Sequence, residues 1–204
     1  IDKSREVATY EATISGSIKA LPKKFGKAES DFFSASGDST SSGIIFVPHV
    51  NGQHGINASK TLVENTVETE ATFYSGSKPK IINTNSSLWD EQKRKNAKQF
   101  KKNKKPILIA TKAFGMGIDK PNIRYTLHLG IPASLESFYQ EAGRAGRDKK
   151  KSFCGVIFTE FNEERTNSLL DPGKTIEDLK EEYKKHDLNS ASRDDITRQL
   201  FFHT

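Results

Sequence analysis

KPILIATKAFGMGIDKPNIRYTLHLGIPASLESFYQEAGRAGRD, residues 105–148, decides the fold of this chain. Pro106–Ala110 is a short apolar run bounded by polar residues, the pattern of a strand covered on both faces. Ile123–Leu129 (IRYTLHL) is the next strand. Between them Thr111–Lys120 is a loop that holds Gly115 and Gly117. Ser134–Ala142 predicts a helix, with Ser134 as its cap candidate and Glu136 and Glu141 on the polar side. The stretch closes on Q-x-x-G-R-x-G-R, with Gln140, Gly143, Arg144, Gly146 and Arg147.

Outward from this stretch the same alternation continues. Gly43–Val47, Glu70–Ser75 and Ser152–Thr159 predict further strands, and Ala58–Val67 a helix. Ser77–Asn85 is polar apart from Ile81 and Ile82 and has the look of a local insertion. Ser86–Asn103 predicts an amphipathic helix with Trp89, Ala97 and Phe100 on one stripe and Ser87 as cap candidate. Strands separated by helices, and apolar throughout, give an α/β fold: a parallel sheet with helices on both faces. Residues 1–41 show weaker spacing, with Val7, Tyr10 and Ile14 in helical register and an expected break near Gly16. We divide the chain into an N-terminal helix and polar linker (1–41), the sheet domain (42–165) and a helical tail (166–204). The tail includes a charged helix at Ile176–His186. The start without methionine and the apolar end at Leu200, Phe201 and Phe202 point to a piece of a longer protein.

Composition narrows the function classes. The chain of 204 residues is 34% hydrophobic and carries a formal charge of +6. That excess suits a polyanion but does not require one. Basic residues concentrate in Lys93–Lys105, either a solvated helix face or a footprint for a phosphate backbone. A lone cysteine, Cys154, excludes an intrachain disulfide and a cysteine-built zinc site. No apolar run approaches membrane-spanning length and no signal peptide is visible.

Two motifs are missing. There is no G-x-x-x-x-G-K-[ST] phosphate cradle, and Gly115-Met116-Gly117 lacks the third glycine of a dinucleotide loop. A self-contained nucleotidase or dinucleotide enzyme is therefore not expected. The five histidines show no metal-ligand spacing, and His128, inside an apolar strand, is expected to be packed and hydrogen-bonded. What remains is the arginine pair. Arginine offers a rigid bidentate fork that keeps its charge when partly buried, which suits phosphoryl oxygens. Arg144 and Arg147 would be neighbours on one face if the helix continued.

The 105–148 stretch resembles the second RecA-like motor domain of superfamily-two helicases, specifically of the RecQ type. Residues 111–124 are similar to helicase motif V and residues 140–148 to motif VI. Ser42–Val47 is similar to the strand of motif IV, and the likeness covers about residues 42–160. The resemblance implies that Arg147 is an arginine finger reaching the γ-phosphate of ATP, with Arg144 assisting and Gln140 coupling nucleotide to the interdomain surface. Asp119 and Gly117 would serve the ATP ribose or the coupling network. Thr111 and Lys112 would meet a single-strand phosphate, with Lys120 and Arg124 as weaker candidates for DNA or interdomain contacts. ATP and Mg²⁺ would be bound mainly by the first RecA-like domain of the same protein. Implied partners are that domain and single-stranded or forked DNA, with 3′-to-5′ movement, in a bacterial cytoplasm or a nucleus. The alternative is a non-motor nucleic-acid-binding or regulatory module on the same fold. One departure stands out: Lys149 follows Asp148 where the family commonly has glycine.

Overall fold

A computed structural model describes residues 3–83, 85–115, 119–132, 134–157, 171, 173–175, 177, 178 and 181. Its strands are β1 (Ser42–Phe46), β2 (Ala71–Tyr74), β3 (Ile107–Ala110), β4 (Ile123–Leu129) and β5 (Phe153–Ile157). They form one sheet in the order β2-β3-β1-β4-β5, and every pairing is parallel. The helices are α1 (Lys3–Lys19), α2 (Leu21–Lys24), α3 (Glu29–Phe33), α4 (Ile56–Val67), α5 (Ser86–Lys101) and α6 (Leu135–Ala142). The expected helix at Ile176–His186 and the apolar end fall almost wholly outside the described residues, as do the last two residues of the expected fifth strand.

The central strands β1, β3 and β4 are buried at every position. β3 is an unbroken apolar run, as a strand covered on both faces should be, whereas β4 alternates Arg124, Thr126 and His128 with apolar residues. Alternate side chains feed two cores. Ile45, Ile107, Ile109, Tyr125 and Leu127 face the layer that holds α1 and α4. Ile44, Phe46, Leu108 and Ala110 face Phe100 of α5 and Phe114. The sheet is thus covered on both faces, as the alternation of elements predicts.

The N-terminal segment differs from its expectation. α1 runs through Gly16 without a break, and nothing lies within 4 Å of where a Cβ at Gly16 would stand. Ile14 and Ile18, one turn apart, are fully buried together with Leu21, Phe32 and Phe33 in the core that holds Ile45 and Tyr125. The Tyr125 ring stacks on Phe32 at 5.6 Å and crosses β1 at Gly43, where a Cβ would lie 1.8 Å from the ring. The division expected after residue 41 therefore marks no break in the core. Composition hid this, because a few apolar residues at helical spacing sit among many polar ones.

Two smaller corrections have local causes. α4 begins at Ile56, two residues earlier than the apolar spacing indicated. The cap of α5 is Asn85, whose side chain accepts from Leu88 N at 2.9 Å, and Ser87 hydrogen-bonds to that same Asn85 oxygen. Both residue types cap well, so sequence could not choose between them.

At the amino end of the sheet lies a polar knot around Asn103, which adopts a left-handed φ of 58°. Its Oδ1 accepts from Ser42 Oγ, from Asn122 Nδ2 at 3.0 Å and from Lys120 Nζ. Lys120, expected as a candidate DNA contact, is only 3% exposed, with its ammonium 5.2 Å from the centre of the Phe100 ring. Burial pulls its pKa down to about 8, with Asp38 opposing. It closes the amino end of the sheet, bonded to Asn103 and packed on Phe100.

Candidate functional site

α6 stops at Ala142 with Gly143 as its C-cap, so Arg144 and Arg147 do not ride on a continuing helix. They belong to a run of turns that leads into β5. Arg144 N still bonds back to Glu141 O at 3.3 Å, and Ala145 N to Ala142 O at 3.1 Å. Ala145 packs against the core of Ile44, Phe46 and Phe114. Gly146 then turns with φ 71° and donates its N–H to Ile123 O, at the start of β4, at 3.0 Å. A Cβ at Gly146 would lie 2.6 Å from Ser152 Oγ and 3.2 Å from Lys150 O. Conformation and space both call for glycine here.

Arg124 holds this loop from below. Its guanidinium donates to Asp148 Oδ2 at 2.6 Å, to Pro121 O at 2.8 Å and to Lys151 O at 3.2 Å. The hydrogen bond from Arg124 is the main reason the Asp148 carboxyl titrates below its usual range. Arg124 is 9% exposed, so this candidate DNA contact is a strut within the domain. Lys149, in the place of the usual glycine, keeps the turn by taking a left-handed φ of 61°.

The two arginines differ in environment. Arg144 is 6% exposed; burial, then repulsion from Arg147, lowers its pKa, with Glu141 opposing. The Arg147 side chain is 41% exposed and lies 3.4 Å from the Asp119 carboxylate, itself 87% exposed. Its Nε makes a long 3.5 Å contact with Gly143 O. Asp119 and Arg147, 28 residues apart in sequence, are thus adjacent at the end of the sheet where β4 begins. Gln140 is exposed on α6 and contacts Glu136 at 3.3 Å. Leu135 and Tyr139, one turn apart on the same helix, are 52% and 79% exposed.

Thr111 and Lys112 lie elsewhere. They follow β3, at the carboxyl end of the sheet, opposite to the end where β4 begins. Thr111 is 7% exposed; its N–H donates to Tyr74 O and its carbonyl accepts from Phe114 N, which starts a 3-10 turn over Lys112–Gly115. Lys112 is exposed. Gly117 lies outside the described residues. On α5 and in the segment that follows it, Lys93 pairs with Asp90 at 2.6 Å and the Lys105 ammonium pairs with Glu70, whereas Lys95, Lys98, Lys101 and Lys102 face solvent.

His128 is packed, as expected of a histidine in an apolar strand. It stacks on Phe46, and its Nε2 lies 3.1 Å from Glu141 Oε2. Sequence reasoning assigned no partner to His128 or Arg124. The available signal was period two: residues 124 and 128 share one face of β4, and each meets an acid of the segment that follows it. Cys154 is half-buried. Among the described residues no three His, Cys, Asp or Glu side chains gather where a metal ion could sit. None of the described helices is long and apolar enough to cross a membrane. A groove of about 520 Å³ lies among Phe73, Ile81, Ile82, Leu88 and Lys95, none of them in the arginine loop.

Comparison with known proteins agrees with this arrangement. The family model for the helicase conserved C-terminal domain matches residues 30–149. The chain belongs to that family. It is of RecQ type: it is 41% identical over 98 residues to the ATP-dependent DNA helicase RecQ of Bacillus subtilis, covering 48% of this chain and 17% of that protein. It is 42% identical over 100 residues to the ATP-dependent DNA helicase Q-like SIM of Arabidopsis thaliana, covering 49% and 11%. The chain thus matches less than a fifth of the length of either relative. Among solved structures, domain 2 of the DEAD-box helicase Mss116p, bound to an RNA duplex, superposes with a TM-score of 0.55. That match covers 95% of this chain and 77% of the other at 19% identity, and it shows the RecA-like fold. The family match starts at residue 30, inside the segment whose Phe32 and Phe33 belong to the sheet's core.

Proposed function

We propose that this chain is the second motor domain of an ATP-dependent DNA helicase and that Arg147 supplies the arginine finger to ATP held by the preceding domain. The observation that carries this reading is the contrast between a fixed loop and a loosely held side chain. The backbone of residues 144–148 is tied down by Ala145 packing, the Gly146–Ile123 hydrogen bond and the Arg124–Asp148 ion pair. The Arg147 guanidinium is half exposed and has a surface carboxylate 3.4 Å away. An exposed ion pair of this kind contributes about 0–1 kcal/mol, so exchanging Asp119 for a phosphate oxygen costs little. A rigid base with a charged tip aimed outward is the preorganisation that stabilises charge developing on a transferring phosphoryl group.

Exposed Leu135, Tyr139 and Gln140 on α6, beside this loop, supply the surface on which the first motor domain closes. Mg²⁺ and the phosphate cradle come from that domain. At the other end of the sheet, Lys112 and the turn after β3 offer backbone and ammonium contacts to single-stranded DNA. Such contacts give little sequence preference and strong salt dependence. Alternate closure and opening then moves the protein 3′ to 5′ and separates duplex strands.

The test uses the full-length protein with both motor domains. Arg147→Ala should lower DNA-stimulated ATP hydrolysis by on the order of 10³-fold while ATP binding changes far less. Full hydrolysis in that variant would sink the finger role.

A further inference from the structure

The arginine loop is held from both ends by the same strand. Arg124, near the start of β4, grips Asp148 after the arginines; His128, near its end, meets Glu141 before them. The second contact has a feature the first lacks. His128 Nδ1 lies 3.3 Å from Gly155 O, and its Nε2 lies 3.1 Å from Glu141 Oε2. Both oxygens are acceptors. A neutral imidazole has one N–H and one lone pair, so it would set that lone pair against one of these oxygens. The doubly protonated ring avoids that clash: it donates to Gly155 O and sets a positive charge beside Glu141, a close ion-pair contact without hydrogen-bond geometry at Nε2.

We propose that His128 is an imidazolium that holds Glu141, and that this pair positions the arginine loop for the reaction on ATP; the proposal rests on the finger role assigned to Arg147. The two side chains are 3% and 12% exposed, so water screens their attraction weakly. Among the described residues, these groups lie at the ring. On β1 it is Phe46, stacked at 5.0 Å; on α6, Phe138, edge-on at 5.0 Å, and Glu141; on β5, Gly155 O and the Cys154 thiol; on β4 itself, Thr126 and Arg124 share the face. Glu141 is the carboxylate among them, and the same carboxylate also attracts Arg144. While His128 is charged, Glu141 is drawn towards the sheet. Loss of the proton leaves Arg144 as the cation nearest Glu141, and pulls that arginine away from a phosphate. Burial opposes charge on the ring, but Cys154 and Glu141 together favour it and hold the pKa up at about 9. The pair is therefore set at neutral pH and released on the alkaline side. His128 and Glu141 are positioning residues and touch neither ATP nor DNA.

The experiment compares wild type with Glu141→Gln, His128→Gln and Arg147→Ala in the full-length protein, measuring DNA-stimulated ATPase against ATP concentration and pH. Wild type should lose kcat on an alkaline limb near pH 9, with KM for ATP nearly constant. Glu141→Gln should lower kcat about tenfold near neutral pH, change KM less than about twofold, and lose the limb. His128→Gln keeps a neutral donor for Glu141; it should retain kcat within about threefold and also lose the limb. A merely structural pair would lower stability and leave the limb in place. Imidazole ¹⁵N shifts of His128 in this chain give a readout independent of ATPase: a charged ring at neutral pH is expected, and a neutral one overturns the proposal. So do both variants behaving as wild type while Arg147→Ala is inactive. An active Arg147→Ala would instead overturn the finger reading, and the ring's charge would still be read by the ¹⁵N shifts.

Discussion

Gly146→Ala tests how the arginine loop is held. The residue has φ 71°, and a Cβ there would stand 2.6 Å from Ser152 Oγ, 3.2 Å from Ser152 Cβ and 3.2 Å from Lys150 O. The left-handed conformation costs an alanine about 1 kcal/mol relative to glycine. The exposed Ser152 hydroxyl can rotate away, but the Lys150 carbonyl must move, and such overpacking adds about 1–2 kcal/mol. The expected loss is therefore about 2–3 kcal/mol, or roughly 1 M in the urea midpoint for a slope near 2 kcal/mol/M. Two controls separate the contributions. Gly26 has φ 64° with nothing within 4 Å of its Cβ position, so Gly26→Ala should show the conformational cost alone, about 1 kcal/mol. Gly146→Ala combined with Ser152→Gly should recover about 1 kcal/mol of the steric cost. In the full-length protein, Gly146→Ala should also lower DNA-stimulated ATPase, because the displaced backbone carries both arginines. A Gly146→Ala no more destabilising than Gly26→Ala would refute the close packing of the loop against Ser152 and Lys150.

Two further outcomes follow from backbone and charge. Lys149→Gly should stabilise the chain by about 0.5–1 kcal/mol in urea unfolding, because it relieves a side chain held at φ 61°; a destabilised variant would refute the strain assigned to that turn. Lys120→Met should remove a pH dependence. The folded pKa of Lys120, about 8, lies below the ordinary 10.5, so folding opposes its proton and the penalty is in full force below about 8. Wild-type stability relative to Lys120→Met should rise with pH between those values, and a flat difference would show that the ammonium is not desolvated.

How much of this was legible in the sequence depended on how locally each feature is encoded. β1 and β3 were legible as short apolar runs of a sheet buried on both faces, and β4 by the period-two spacing of Ile123, Tyr125, Leu127 and Leu129. The arginine loop was legible as a motif, and Gly146 as a point of close approach, since glycine there is required by local backbone geometry. The N-terminal core was not, because Ile14, Ile18, Phe32 and Phe33 meet the sheet only through long-range packing. The burial of Lys120 and Arg124 was hidden for the same reason. A charged residue in isolation is expected at the surface. What permits burial here is Asn103 for Lys120 and Asp148 for Arg124, and only the fold brings them near. The Asp119–Arg147 contact likewise joins residues that the sequence separates by a strand and a helix.

These placements bear on how a motor domain can be both rigid and responsive. Holding the arginine segment by backbone contacts alone would fix it without linking it to the rest of the sheet. Instead β4 contributes a cation on each side of the segment, Arg124 for Asp148 and His128 for Glu141. Both acids flank the arginines in sequence, so any shift of the loop along β4 strains one pair or the other. The Arg124 pair does not switch, because a guanidinium keeps its proton across the accessible pH range. The His128 pair can, and it lies on the side where α6 exposes Leu135 and Tyr139. A partner domain pressing on that helix would act on Glu141 directly and on Arg144 through it, while Asp148 stayed fixed. Closure would then be felt first at the buried arginine and only afterwards at Arg147, whose half-exposed guanidinium pairs with the surface carboxylate of Asp119.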